Sequence, residues 1–125
     1  DLGKQVRAQL PRPGTARPLD FSRALLDHAQ EHLPVFRAMV GRRSSHLVQG
    51  KMRDLVLKLV REDVAGLLPP GARREGTAAF LSGAFFELLI WSLEAKPAVT
   101  AEQADALFQE LAAPVLAAAV RKGRP

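Results

Sequence analysis

The sequence predicts an all-α fold. Three observations carry the prediction: no stretch sustains period-two alternation, β-branched residues are sparse, and apolar residues recur at three- and four-residue spacing over long runs. The 125 residues suffice for one domain around a single core and are too few for two comfortable ones.

The first expected helix covers residues 2–10 and stops at Pro11 and Pro13, whose rings remove the N–H donors a helix needs. Residues 11–18 (PRPGTARP) read as a loop and a candidate for disorder. Asp20 is expected to cap a second helix over residues 21–32, with Leu25, Leu26 and Ala29 on its apolar side. Pro34 breaks that helix and opens a short third one ending near Val40, with Gly41 as its C-cap. Arg42 and Arg43 follow, and Ser44 and Ser45 offer a new cap. Over residues 46–68, Val48, Met52, Leu55, Val56, Leu59, Val60 and Val64 form one buried stripe. Lys51, Asp54, Lys58, Arg61 and Glu62 lie mostly on the other side, and Pro69-Pro70-Gly71 ends the helix.

The fifth helix, residues 73–95, differs in kind. Phe80, Leu81, Ala84, Phe85, Phe86, Leu88, Leu89, Ile90, Trp91 and Leu93 cover nearly its whole circumference. A helix apolar all round must be buried on more than one side, and one copy of so short a chain can hardly cover it. After the turn at Pro97-Ala98-Val99, Thr100 and Gln103 make a capping box for the last helix. That helix carries Ala104, Leu107, Phe108, Leu111, Val115, Leu116 and Ala119, with Glu102, Asp105, Gln109 and Glu110 as its exposed set. Pro114 predicts a kink within it.

Composition narrows the function classes. Nearly half the residues are hydrophobic and a quarter charged, the balance of a soluble globular protein. The longest apolar run, residues 78–93, is interrupted by Ser82, Gly83 and Glu87, so no transmembrane segment is expected. Cysteine is absent, which excludes disulfides and thiolate chemistry and fits a cytoplasmic location. The chain starts at Asp1 without the layout of a signal peptide, and a missing upstream segment is expected.

The net charge of +5 comes largely from the chain ends. Residues 1–19 hold four basic groups against one acid, and the basic tail over residues 121–125 adds Arg121, Lys122 and Arg124. Residues 69–120 hold three basic groups against six acids. A nucleic-acid surface needs Lys and Arg clustered on a groove-fitting element, so direct DNA binding by this chain is not expected.

The last two helices suit a subunit contact. Small residues let backbones approach and large ones fill the gaps. Ala79, Ser82, Gly83 and Phe86 share one face of the fifth helix, and Ala104, Leu107, Leu111 and Val115 are their expected partners on the sixth. A mid-helix glycine costs up to ~1 kcal/mol relative to alanine, so Gly83 points to close packing, either between subunits or within one. Two such helix pairs about a two-fold axis make a four-helix bundle.

From residue 20 to residue 119 the chain resembles the C-terminal domain of TetR-family transcriptional regulators. The carriers are Ala24-Leu25-Leu26-Asp27-His28, the stretch from Glu31 through Pro34 and Phe36 to Gly41, and Phe80-Leu81-Ser82-Gly83-Ala84 running into Leu89-Ile90-Trp91-Ser92-Leu93. The turn Pro97-Ala98-Val99-Thr100-Ala101-Glu102 resembles the family's link between its last two helices. The resemblance implies a homodimer built from the last two helices and a small-molecule pocket among the others. It also implies an N-terminal helix-turn-helix head that reads operator DNA. That head is missing from this chain, and residues 1–19 resemble the end of a linker helix plus a loop.

A pocket should be mostly apolar with a few placed polar groups. Phe36 and Met39, Met52 and Val56, and Phe80, Ala84 and Trp91 could converge around a mostly apolar effector, or be simply core. Glu87, one turn from Gly83 and from Trp91, is at the surface, paired with a base, or facing that cavity. His28 and His32 stand one helical turn apart with only Glu31 nearby as a third ligand. The commoner reading is a pair of surface histidines, and neither a metal nor a cofactor is expected. Ser44 and Ser45 lack a nucleophile-elbow setting, and without strands no Gly-rich loop follows one, so an enzyme is not expected. The leading expectation is a ligand-responsive regulator, in the family's habit a repressor. The alternatives are a helical dimerisation or partner-binding module without DNA binding, and a small helical carrier or enzyme.

Overall fold

A computed structural model describes Lys4, residues 18–41 and residues 44–123. The expected helix over residues 2–10, the loop before Pro18, Arg42, Arg43 and the last two residues lie outside the described residues, apart from Lys4, which is helical.

The described residues form five helices and no strand: α1 (Phe21–Glu31), α2 (Leu33–Val40), α3 (His46–Ala65), α4 (Ala72–Glu94) and α5 (Ala101–Lys122). The chain is an all-α bundle. Short connections turn α3 back along α4 and α4 back along α5, so α4 touches each of the other four helices. Its buried set is accordingly two-sided, with Ala78, Leu81, Phe85, Phe86, Leu89, Ile90 and Leu93 all covered. The centre is aromatic. Phe85 receives Phe21 from α1 and Phe108 from α5, both edge-to-face, with ring centroids 5.2 and 5.1 Å away. Of the expected α3 stripe, Met52, Val56, Leu59, Val60 and Val64 are buried and Val48 and Leu55 half-buried. On its far side Lys51, Asp54, Lys58, Arg61 and Glu62 are exposed.

Most caps follow the local sequence. The Ser45 hydroxyl accepts from the Val48 N–H at 3.1 Å, and Thr100 and Gln103 exchange both bonds of a capping box at 3.0 Å. Gly41 ends α2, and a Cβ there would stand 2.3 Å from the Arg37 carbonyl oxygen, which no side chain tolerates. Gly71 precedes α4 with φ 145°, ψ −178°, backbone that only glycine adopts freely.

Four expectations need correction. Asp20 occupies the N-cap position of α1 with helical backbone and no capping bond from its side chain. The turn ahead of it is held by Leu19 instead, whose left-handed backbone (φ 65°) is locked by three hydrogen bonds. Its N–H donates to Asp63 at 3.0 Å, while its carbonyl accepts from Ser22 N–H at 3.2 Å and from Gln109 at 3.1 Å. Second, α3 stops at Ala65, three residues short of the expected end, because the N–H groups of Leu67 and Leu68 both turn back on the Val64 carbonyl and Leu68 is buried. Third, Asp105 and Gln109 are not exposed. Asp105 accepts a short hydrogen bond from the buried Ser22 hydroxyl, and Gln109 donates to that same hydroxyl at 2.9 Å, joining α5 to α1. Fourth, α4 is long and apolar enough to cross a membrane by length and composition, with an 18-residue window of mean hydropathy 1.4. Ser82, Gly83 and Glu87 do not lower it as far as expected. Half of that window is buried inside the bundle. Pro114 sits within α5, which continues unbroken to Lys122.

Candidate functional site

Among the described residues, the bundle covers three sides of α4 and leaves one bare. Phe80 (62 % exposed), Ala84, Glu87 and Trp91 (44 % exposed) follow one another along that side at three- and four-residue spacing. Leu111 on α5 (60 % exposed) stands beside them, with Leu88 and Val115 half-buried between. Phe80, Ala84, Leu88, Leu111 and Val115 line an apolar groove of about 230 Å³ between α4 and α5, floored by the buried Leu81 and Phe108. Such a run of large apolar side chains on two adjacent helices is unusual on an isolated domain, where exposed hydrophobics are normally scattered.

A second, larger groove of about 710 Å³ opens on the other side of α5. Leu19, Leu67, Leu116 and Val120 give it apolar walls, and Gln109 and Arg121 contribute the polar groups. This is the composition of a small-molecule site: mostly apolar, with a few groups able to orient a ligand. The arginine favours an anionic or hydrogen-bond-accepting end. The sequence reading missed these residues. Leu19 and Leu67 lie in turns, where no periodicity marks a lining position.

The expected pocket residues do not share one pocket: Phe80 and Ala84 line the groove between α4 and α5, and the rest lie apart from it. Phe36, Met52 and Val56 are core, at 2 % exposure or less, and Met39 is half-buried against the same cluster. Phe80, Ala84, Glu87 and Trp91 lie on the bare side of α4. Glu87 is therefore a surface residue of the chain, not a carboxylate enclosed beside Trp91.

The expected interface residues divide as well. Ser82, Phe86 and Ala104 are already covered by their own chain. Phe86 meets α3 through the Arg53 guanidinium, 4.2 Å from its ring centroid. Ala79, Gly83, Leu107, Leu111 and Val115 remain exposed or half-buried. On α4 the two assignments thus change places: residues assigned to ligand binding form the bare face, and two of those assigned to the subunit contact are core. Periodicity shows which residues share a face, whereas the neighbours decide what that face meets. Among the described residues, nothing stands within 4 Å of a Cβ built on Gly83. The close packing expected there is not supplied by the described residues of its own chain.

A third feature lies at the corner of α1 and α2, where His28, Glu31 and His32 gather. Comparison with protein-family models, with curated proteins and with solved structures finds no match for this chain.

Proposed function

We propose that this chain is the dimerising, ligand-sensing domain of a TetR-like transcriptional regulator, two copies joining through the bare face of α4 and α5. The observation that supports this is the strip of Phe80, Ala84, Trp91, Leu111 and Val115, apolar except for Glu87 among them. Each large apolar side chain withdrawn from water contributes about 1.5–3 kcal/mol, so leaving the strip bare is costly. Two adjacent helices with one apolar face are self-complementary about a two-fold axis and close into a four-helix bundle. Gly83, open at the edge of the strip, lets a second backbone approach.

In this reading an apolar effector with an acceptor group enters the groove walled by Leu19, Leu67, Leu116 and Val120. Its binding shifts the balance between two dimer arrangements, and operator-reading heads carried ahead of residue 1 change their spacing. The domain itself performs no catalysis, and its place of action is the cytoplasm.

Light scattering on the purified chain, with Gly83→Leu and Phe80→Asp beside it, tests the proposal. A dimer of the unaltered chain that both substitutions split supports it. A monomer throughout overturns it in favour of a partner-binding module, whose apolar strip would receive a different chain.

A further inference from the structure

The corner between α1 and α2 is built around His32, which closes one helix and precedes the next with non-helical backbone (φ −122°, ψ 43°). Its N–H donates to the His28 carbonyl at 3.1 Å, and its own carbonyl accepts from the Phe36 N–H at 3.0 Å, so the corner is tied on both sides. The side chains of His28 and His32 come together there, with ring centroids 4.6 Å apart. His28 is half-buried, and its ring rests edge-on against buried Phe36 at 5.7 Å, which orients the imidazole. Glu31, the last residue of α1, completes the group, and one donor atom from each of the three lies within 4.8 Å of the others.

Donor atoms around a four-coordinate zinc ion sit about 2.0–2.2 Å from the metal, hence roughly 3.5 Å from one another. The closure still required is about an ångström, within the rotamer freedom of the exposed Glu31 and His32. Two imidazoles and one carboxylate, in a chain without cysteine, suit zinc and its late first-row neighbours and not magnesium or calcium.

We propose that His28, Glu31 and His32 form a binding site for a divalent cation of the zinc class, with solvent completing its coordination. The bound ion ties the last turn of α1 to His32, the residue that leads into α2. The site stands independently of whether the chain dimerises.

Calorimetric titration of the untagged chain with zinc chloride, and separately with magnesium chloride, tests it. The expected result is one zinc per chain, with no comparable uptake of magnesium. His32→Gln and Glu31→Gln alter exposed residues, so the variants keep their helical circular dichroism. Each should weaken zinc binding by about ten- to a hundred-fold or more. Zinc should also raise the thermal midpoint of the unaltered chain and leave that of His32→Gln unmoved. Equal affinity in His32→Gln and the unaltered chain overturns the site. So does zinc uptake no tighter than magnesium uptake, or loss of binding in His46→Gln alone.

Discussion

Three glycines of this chain answer to different physics, and substitution by alanine separates them. At Gly71 space is open but φ is 145°, so Gly71→Ala should cost about 1–3 kcal/mol through backbone strain alone. At Gly41 the backbone is ordinary and space is the obstacle, since the added methyl would overlap the Arg37 carbonyl. At Gly83 the backbone is helical and the space open. In an isolated monomer Gly83→Ala should therefore stabilise by up to ~1 kcal/mol. Urea denaturation at low and high protein concentration reads both variants. A stabilisation that turns into a loss as concentration rises would mean that a second chain packs on Gly83. The buried Ser22–Asp105–Gln109 network yields another residue-scale expectation. Ser22→Ala removes the hydroxyl that donates to a buried carboxylate and should cost about 1–3 kcal/mol in the same measurement.

At the scale of the element, local sequence sets where helices start more firmly than where they stop. The capping box at Thr100 and the Ser45 cap stand where their residue patterns put them, and Thr100→Ala should destabilise by about 1 kcal/mol in thermal unfolding. The Asp20 cap does not form, because Leu19, buried and held by Asp63 and Gln109, already sets the backbone ahead of α1. A contact from 44 residues away thus displaces a local preference. Helix α4 is the element on which the others depend. Phe85→Ala removes the ring between Phe21 and Phe108 and should cost about 3–5 kcal/mol, with loss of near-ultraviolet dichroism before loss of helix.

For the whole molecule, the excess apolar surface of α4 is the central fact. The sequence shows the surplus, since ten large or small apolar residues ring the helix. It does not show which arc stays bare. Trp91 is the single tryptophan and is 44 % exposed on that arc, so its emission reports this face alone. Dimerisation through the strip should shift that emission to shorter wavelength as concentration rises, and Phe80→Asp should abolish the shift. An emission independent of concentration over the micromolar range would count against the two-fold interface.

What the sequence by itself determined is the class of fold, the order and approximate extents of the described helices, the buried stripe of α3 and the caps at Ser45 and Thr100. These follow from spacing along one chain and from bonds between near neighbours, which any reader of the sequence has in hand. Only the tertiary structure decided which side of α4 faces inward, that Asp105 and Gln109 are joined to Ser22, and that Leu19 and Leu67 wall a groove with α5. The physical reason is common to all three. Each depends on partners from distant parts of the chain, and helical periodicity records that residues share a face without recording what that face will meet.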